Sequence, residues 1–143
     1  MPAPSVPFKL DPRLAADTQL VGDLELSRVL LMNDARFPWL ILVPRIAGAR
    51  ELIDLDEGDQ RSLLGEISAV GRAFEALLRP DKLNIAALGN VVPQLHVHLI
   101  ARYTTDAAWP QPVWGRGAAA RHEPAALAER VGALREALGA LLA

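Results

Sequence analysis

The stretch Gln94-Leu95-His96-Val97-His98-Leu99-Ile100-Ala101-Arg102 decides how the chain is read. Polar and apolar side chains alternate with period two, the pattern of a strand with one packed face. Gln94, His96, His98 and Arg102 fall on one side with Ile100 between them, and Leu95, Val97, Leu99 and Ala101 fall on the other. Residues two apart on a strand stand roughly 6.5–7 Å from each other. Two of the three histidines therefore share a face with an amide and a guanidinium. Buried polar groups need partners, so four of them on one face point to chemistry more than to burial.

Working outward, Gly89-Asn90 reads as a tight connection and Leu83–Leu88 as the strand before it. Upstream, Asp56 is an N-cap candidate for a helix over 57–78, whose Leu63, Ile67, Val70, Phe74 and Leu77 recur at steps of three and four. Arg79-Pro80-Asp81 stops it. Glu25–Asn33 and Trp39–Val43 read as a hairpin joined by Asn33–Pro38. Asp11-Pro12 opens a short helix through about Thr18, and three prolines within the first seven residues make an extended arm before it. Downstream, residues 103–120 form a loop with Tyr103, Trp109 and Trp114, and a last helix runs from about Pro124 to Leu142. Strands in the middle with helices between and after them predict an α+β class, an antiparallel sheet with helices on one face.

Composition sets the outer bounds. A chain of 143 residues that is 51% hydrophobic is expected to be one compact domain over 1–143. A formal charge of −2 offers no electrostatic reason for nucleic acid or an acidic membrane as partner. No cysteine is present, which excludes disulfides and thiolate metal sites and fits a reducing compartment. The N-terminus lacks the basic start and apolar run of a signal peptide, and no stretch approaches 18 consecutive apolar residues. A cytoplasmic location is therefore expected. The paired acids at Asp54, Asp56, Glu57 and Asp59 read as a helix start complementing its dipole. No Gly-rich phosphate loop and no Gly-x-Ser-x-Gly elbow occurs.

Three readings of the histidine pair compete. The two rings can simply be hydrogen-bonded and semi-buried. They can ligate a metal, which needs a third ligand when His122 is far along the chain and no carboxylate lies nearby in sequence; no metal is expected. Or one can be a nucleophile, since a neutral imidazole nitrogen attacks phosphorus and an unperturbed pKa near 6.5 leaves it mostly neutral at pH 7.

Gly89-Asn90-Val91-Val92-Pro93-Gln94-Leu95-His96-Val97-His98-Leu99-Ile100 resembles the histidine triad (HIT) signature, whose usual form is Gly-Gln-Ser-Val-x-His-φ-His-φ-His-φ-φ. Leu31-Met32-Asn33, a short turn and Leu40-Ile41-Leu42-Val43-Pro44-Arg45 are similar to that family's nucleotide-contacting hairpin, and the likeness runs over about 23–105. It implies that His96 attacks the α-phosphorus of a nucleotide and that His98 orients or polarises it. It further implies that Asn33 meets the ribose, and that Asn90, beside Gly89, meets phosphate, with Asn84 also in the nucleotide site. Substrates would be nucleoside phosphoramidates, dinucleoside polyphosphates or related adenylated compounds, the bound group a purine nucleotide, the assembly a homodimer, and no cofactor would be needed.

This chain departs from that pattern. Gln94 stands at the first histidine position, where an amide can hydrogen-bond a phosphate oxygen but carries no proton charge. Val91 replaces the usual Ser or Thr, and the 33–39 turn and the loop after Ile85 are shorter. Losing one well-placed transition-state donor costs on the order of 10²–10³ in rate, so the resemblance implies a slow or unusual hydrolase. The alternative is a nucleotide-binding module with little turnover. Arg102 could meet phosphate or simply be solvated. Trp109 and Trp114 could stack on a base or pin their loop. His122 reads as a surface residue.

Overall fold

The computed structural model describes residues 6–143. Two of the three prolines of the expected N-terminal arm lie outside the described residues. Helix α1 (Pro12–Asp17) begins as the Asp-Pro pair predicts: the Asp11 carboxylate accepts from the Arg13 N–H, and proline occupies the first turn. Five strands follow, β1 (Thr18–Asp23), β2 (Ser27–Met32), β3 (Trp39–Pro44), β4 (Lys82–Ala86) and β5 (Val97–Arg102). Between β3 and β4 runs α2 (Glu57–Leu78), and α3 (Pro124–Leu138) closes the chain before a 3₁₀ turn over Gly139–Leu141. The sheet order is β1-β2-β3-β5-β4 and every pair is antiparallel. The α+β class expected from the sequence is the one observed. Among the described residues no helix is long and apolar enough to cross a membrane.

β3 is apolar over its whole length because both of its faces are covered, and each of its six residues is buried. On one face, Leu63, Val70 and Phe74 of α2 and Val131, Leu134 and Leu138 of α3 pack over alternate strand residues, including Leu40, Leu42, Val97 and Leu99. The long helices share this face. The other face carries Leu30, Ile41 and Ile100 beneath Leu14 of α1, Phe37, Val113 and the partly buried Phe8 and Leu10. The short helix α1 therefore sits opposite the two long ones.

Element ends moved where tertiary partners outweighed the local pattern. β1 was not anticipated: it is a short edge strand with a register shift between Leu20 and Gly22, which breaks the alternation a sequence reading needs. α2 stops at Arg79 in the left-handed region, φ 47°, with Pro80 unable to continue it. α3 ends at Leu138 and not Leu142, as Gly139 also takes positive φ. β4 ends at Ala86 and β5 starts at Val97, so the predicted tight connection at Gly89-Asn90 is a ten-residue excursion over 87–96. Leu95 turns its N–H away from β4 to the Ala49 carbonyl, 3.0 Å distant, so the two strands part there.

Arg102 does not reach solvent. Its guanidinium is buried, donating to both Asp106 carboxylate oxygens (2.7 and 3.0 Å), to Asn84 Oδ1 (2.8 Å) and to the Gln111 carbonyl (2.8 Å). Phe37 and Trp109 flank it, each ring centroid 5.8 Å from the guanidinium carbon. Burial alone would raise the Asp106 pKa, but Arg102 and the N–H groups of Tyr103, Ala108 and Trp109 hold it far below the usual carboxylate range. This network fastens the loop after β5 to the sheet. Asp106→Ala leaves the Arg102 charge buried and unpaired, and is expected to cost about 3–5 kcal/mol in urea unfolding; a loss under ~1 kcal/mol would show that the pair is dispensable.

Candidate active site

Pairing between β3 and β5 sets the histidine face. Ile41 lies opposite His98 and Trp39 opposite Ile100, so the Trp39 indole leans diagonally onto the His98 ring. Indole N–H is only a donor, and it reaches His98 Nδ1 at 2.9 Å. The hydrogen of neutral His98 therefore sits on Nε2. Trp114 stands edge-on to both rings, 5.0 Å from His98 and 5.8 Å from Trp39 between centroids. Trp114 thus pins its loop to the histidine strand while keeping one side at a cavity. Burial, and secondarily the neighbouring His96, pushes the His98 pKa down to about 4.

His96 lies next to this cluster, its ring centroid 4.8 Å from that of His98. Its Nδ1 is 2.6 Å from the Gln94 backbone carbonyl. A carbonyl can only accept, so Nδ1 carries the hydrogen and Nε2 of the neutral ring keeps a lone pair. Although His96 is only 7% exposed, it borders a cavity of about 240 Å³ where β4 and β5 part. Arg50, Leu52, Leu88, Gly89 and Gln94 contribute to its walls. The glycine has φ 90°, a conformation that side chains oppose, so residue 89 bends the loop as the others could not.

Of the residues singled out in the sequence, Gly89, Gln94 and His96 meet at this cavity and His98 backs it. Asn90 is exposed on the loop and does not border the cavity. Asn84 spans to Arg102 through its Oδ1. Asn33 borders a second cavity of about 240 Å³ with Trp39, Trp114 and Arg121. Its Oδ1 accepts from the His122 N–H (2.8 Å) and lies 2.9 Å from His122 Nδ1, so His122 is half-buried and holds the hairpin turn. The Gln94 amide is also occupied, with Lys9 and Asp11. Trp39, the partner of His98, escaped the sequence reading; only its place opposite the histidine strand could have signalled it. Among the described residues no three His, Asp or Glu gather as metal ligands would.

Comparison with known proteins places the chain. The HIT domain family matches residues 13–105. A crystal structure of a histidine triad protein from Bradyrhizobium japonicum is 53% identical, with a TM-score of 0.88, over 93% of this chain and 98% of that one. One from Sinorhizobium meliloti 1021 is 43% identical, with a TM-score of 0.89, over 92% and 97%. Another from Marinobacter aquaeolei VT8 is 46% identical, with a TM-score of 0.86, over 96% and 97%. No curated protein sequence matches. A HIT match across most of the chain, a fold that matches histidine triad proteins almost end to end, and two motif histidines side by side, one of them at a cavity, have one reading: the chain belongs to the histidine triad (HIT) family.

Proposed function

We propose that the protein is a nucleotide-binding hydrolase or transferase that works through a covalent nucleotidyl-histidine at His96. The observation that carries this reading is the hydrogen bond between His96 Nδ1 and the Gln94 carbonyl, which leaves Nε2 as the free base of a ring bordering a cavity. In the first step Nε2 bonds to the α-phosphorus, and the bond from phosphorus to the leaving group breaks with its electrons going to that group. Water, or another acceptor, then displaces His96 from phosphorus. His98, neutral and fixed by Trp39, holds the His96 ring from behind without adding a second positive charge.

The nucleotide contacts follow the same reading. Gly89 and Asn90 shape a loop whose backbone N–H groups can face phosphate. Asn33 and Asn84 have their side-chain oxygens engaged, so any contact with a nucleotide goes through their amide N–H groups. Substrates of the class are nucleoside phosphoramidates, dinucleoside polyphosphates and related nucleotidyl compounds. A module that binds nucleotide without turnover is the second reading, favoured by the exposed Val91 where a hydroxyl would serve.

The protein mixed with an adenosine phosphoramidate is expected to gain the mass of one adenylyl group. His96→Ala is expected to abolish the adduct and lower turnover by at least ~10³-fold. Tight AMP binding with no adduct in the unaltered protein supports the module instead. A homodimer is proposed because β4 is an edge strand with Ile85 half-exposed; light scattering should give twice the 15.4 kDa chain mass, and a monomer at that measurement removes the proposal.

The state of His98 is visible in stability. Unfolded, it titrates near 6.5; folded, near 4. Between those values the unfolded chain binds the extra proton, so stability falls as pH drops through this window and is unaffected above it. Moving from pH 7.5 to 5.0 should lower the unfolding free energy by about 2 kcal/mol more in the unaltered protein than in His98→Asn, whose amide still accepts from Trp39. Equal slopes would mean that His98 titrates in the fold as it does in the unfolded chain.

A further inference from the structure

Gln94 is fully engaged, and what it holds is the N-terminal segment. Its Nε2 donates to the Lys9 carbonyl and its Oε1 accepts from the Asp11 N–H, both at 2.8 Å. A strand residue in a parallel ladder bonds to its neighbour in this way, taking the carbonyl before and the N–H after one partner residue; here a side chain plays that part for Leu10. Phe8 and Leu10 then pack onto the sheet face that carries His98 and Ile100. The segment has a second fastening. The Asp11 carboxylate accepts from Arg13 N, Nε and Nη2, and Arg13 Nη1 donates to the Val91 carbonyl at 2.8 Å. Residues 91 and 94 belong to the same excursion over 87–96. The N-terminal segment is thus bonded twice to the loop that presents the nucleophile.

We propose that Gln94 is a positioning residue: its amide latches residues 8–13 onto the histidine loop, so that the N-terminal segment braces the loop that lines the nucleotide site. Residue 94 then serves neither as a proton donor nor as a ligand of phosphate. The inference uses the nucleotide-site reading above to choose its probe, while the latch itself stands on the hydrogen bonds.

The experiment compares the full chain with Gln94→Ala and Gln94→Glu by amide hydrogen exchange, AMP binding and the single-turnover rate of adduct formation at saturating adenosine phosphoramidate. Gln94→Ala is expected to speed exchange at the Asp11 amide about tenfold or more and to weaken AMP about tenfold. The saturated adduct rate is expected to fall by less than the AMP affinity does, because the residue-94 carbonyl and both histidines are retained. Gln94→Glu keeps the acceptor for Asp11 but loses the donor for Lys9, and should fall between. Arg13→Ala, an exposed position, removes the second fastening and should weaken AMP in the same direction even if a Gln94 variant fails to fold. Unchanged Asp11 exchange overturns the latch. Faster exchange with unchanged AMP affinity, or no AMP binding by the unaltered protein, overturns the bracing of the site. A tenfold loss of saturated rate with AMP affinity intact returns Gln94 to the phosphate. If the unaltered protein forms no adduct, the catalytic reading fails, while the exchange and AMP measurements still decide this one.

Discussion

The hydrogen bond from His96 Nδ1 to the Gln94 carbonyl, 2.6 Å long, makes the choice of free ring nitrogen a consequence of the backbone path between residues 94 and 96. An imidazole has two nitrogens, and whichever one carries the hydrogen cannot attack. Here the choice is made by a carbonyl, which never donates and so holds one tautomer of the neutral ring. The carbonyl is free for this because residue 94 lies just outside β5 and has left the ladder with β4. Had the strand continued to Gln94, the ring would lie against paired backbone and not at the cavity where the strands part.

Behind His96 the site is stiffened by aromatic rings and hydrogen bonds. Trp114 stands edge-on to His98 and Trp39 is tilted against it, and the indole N–H of Trp39 satisfies the one ring nitrogen of His98 that faces it. Such a pocket favours the neutral ring, since it offers apolar surface and no carboxylate to balance a charge. Four positions beyond His98, Arg102 fastens the following loop through Asp106. A single strand therefore carries His96 at its mouth, the buried His98 beside it and a buried ion pair at its end, with Ile100 packed into the opposing core.

The strand's periodicity was legible because its two faces differ: His96, His98 and Arg102 share one, while Val97, Leu99 and Ala101 enter the helix-side core. The long helix was equally plain, with the Asp56 cap accepting from the Asp59 N–H and an apolar stripe ending at the Arg79-Pro80 stop. β1 escaped notice because a bulged edge strand buries only one residue and has no alternation to show. Arg102 was misjudged for a different cause. Its partners Asn84, Asp106 and Gln111 surround it only once β4 pairs with β5 and the next loop folds back.

What the amino-acid order determined by itself is local and periodic: the α+β class, the caps and stops of the helices, the alternation that brings His96 and His98 to one face, and the motif resemblance that names the family. What only the tertiary structure decided is which of these side chains remain available. Gln94 is drawn to Lys9 and Asp11, more than eighty residues earlier, Asn33 to His122, and His98 to Trp39. A motif states residue types at a spacing, whereas the pairing of a donor with an acceptor depends on which segments are brought within about 3 Å of each other. That is set by the packing of the whole sheet, and no window along the chain contains it.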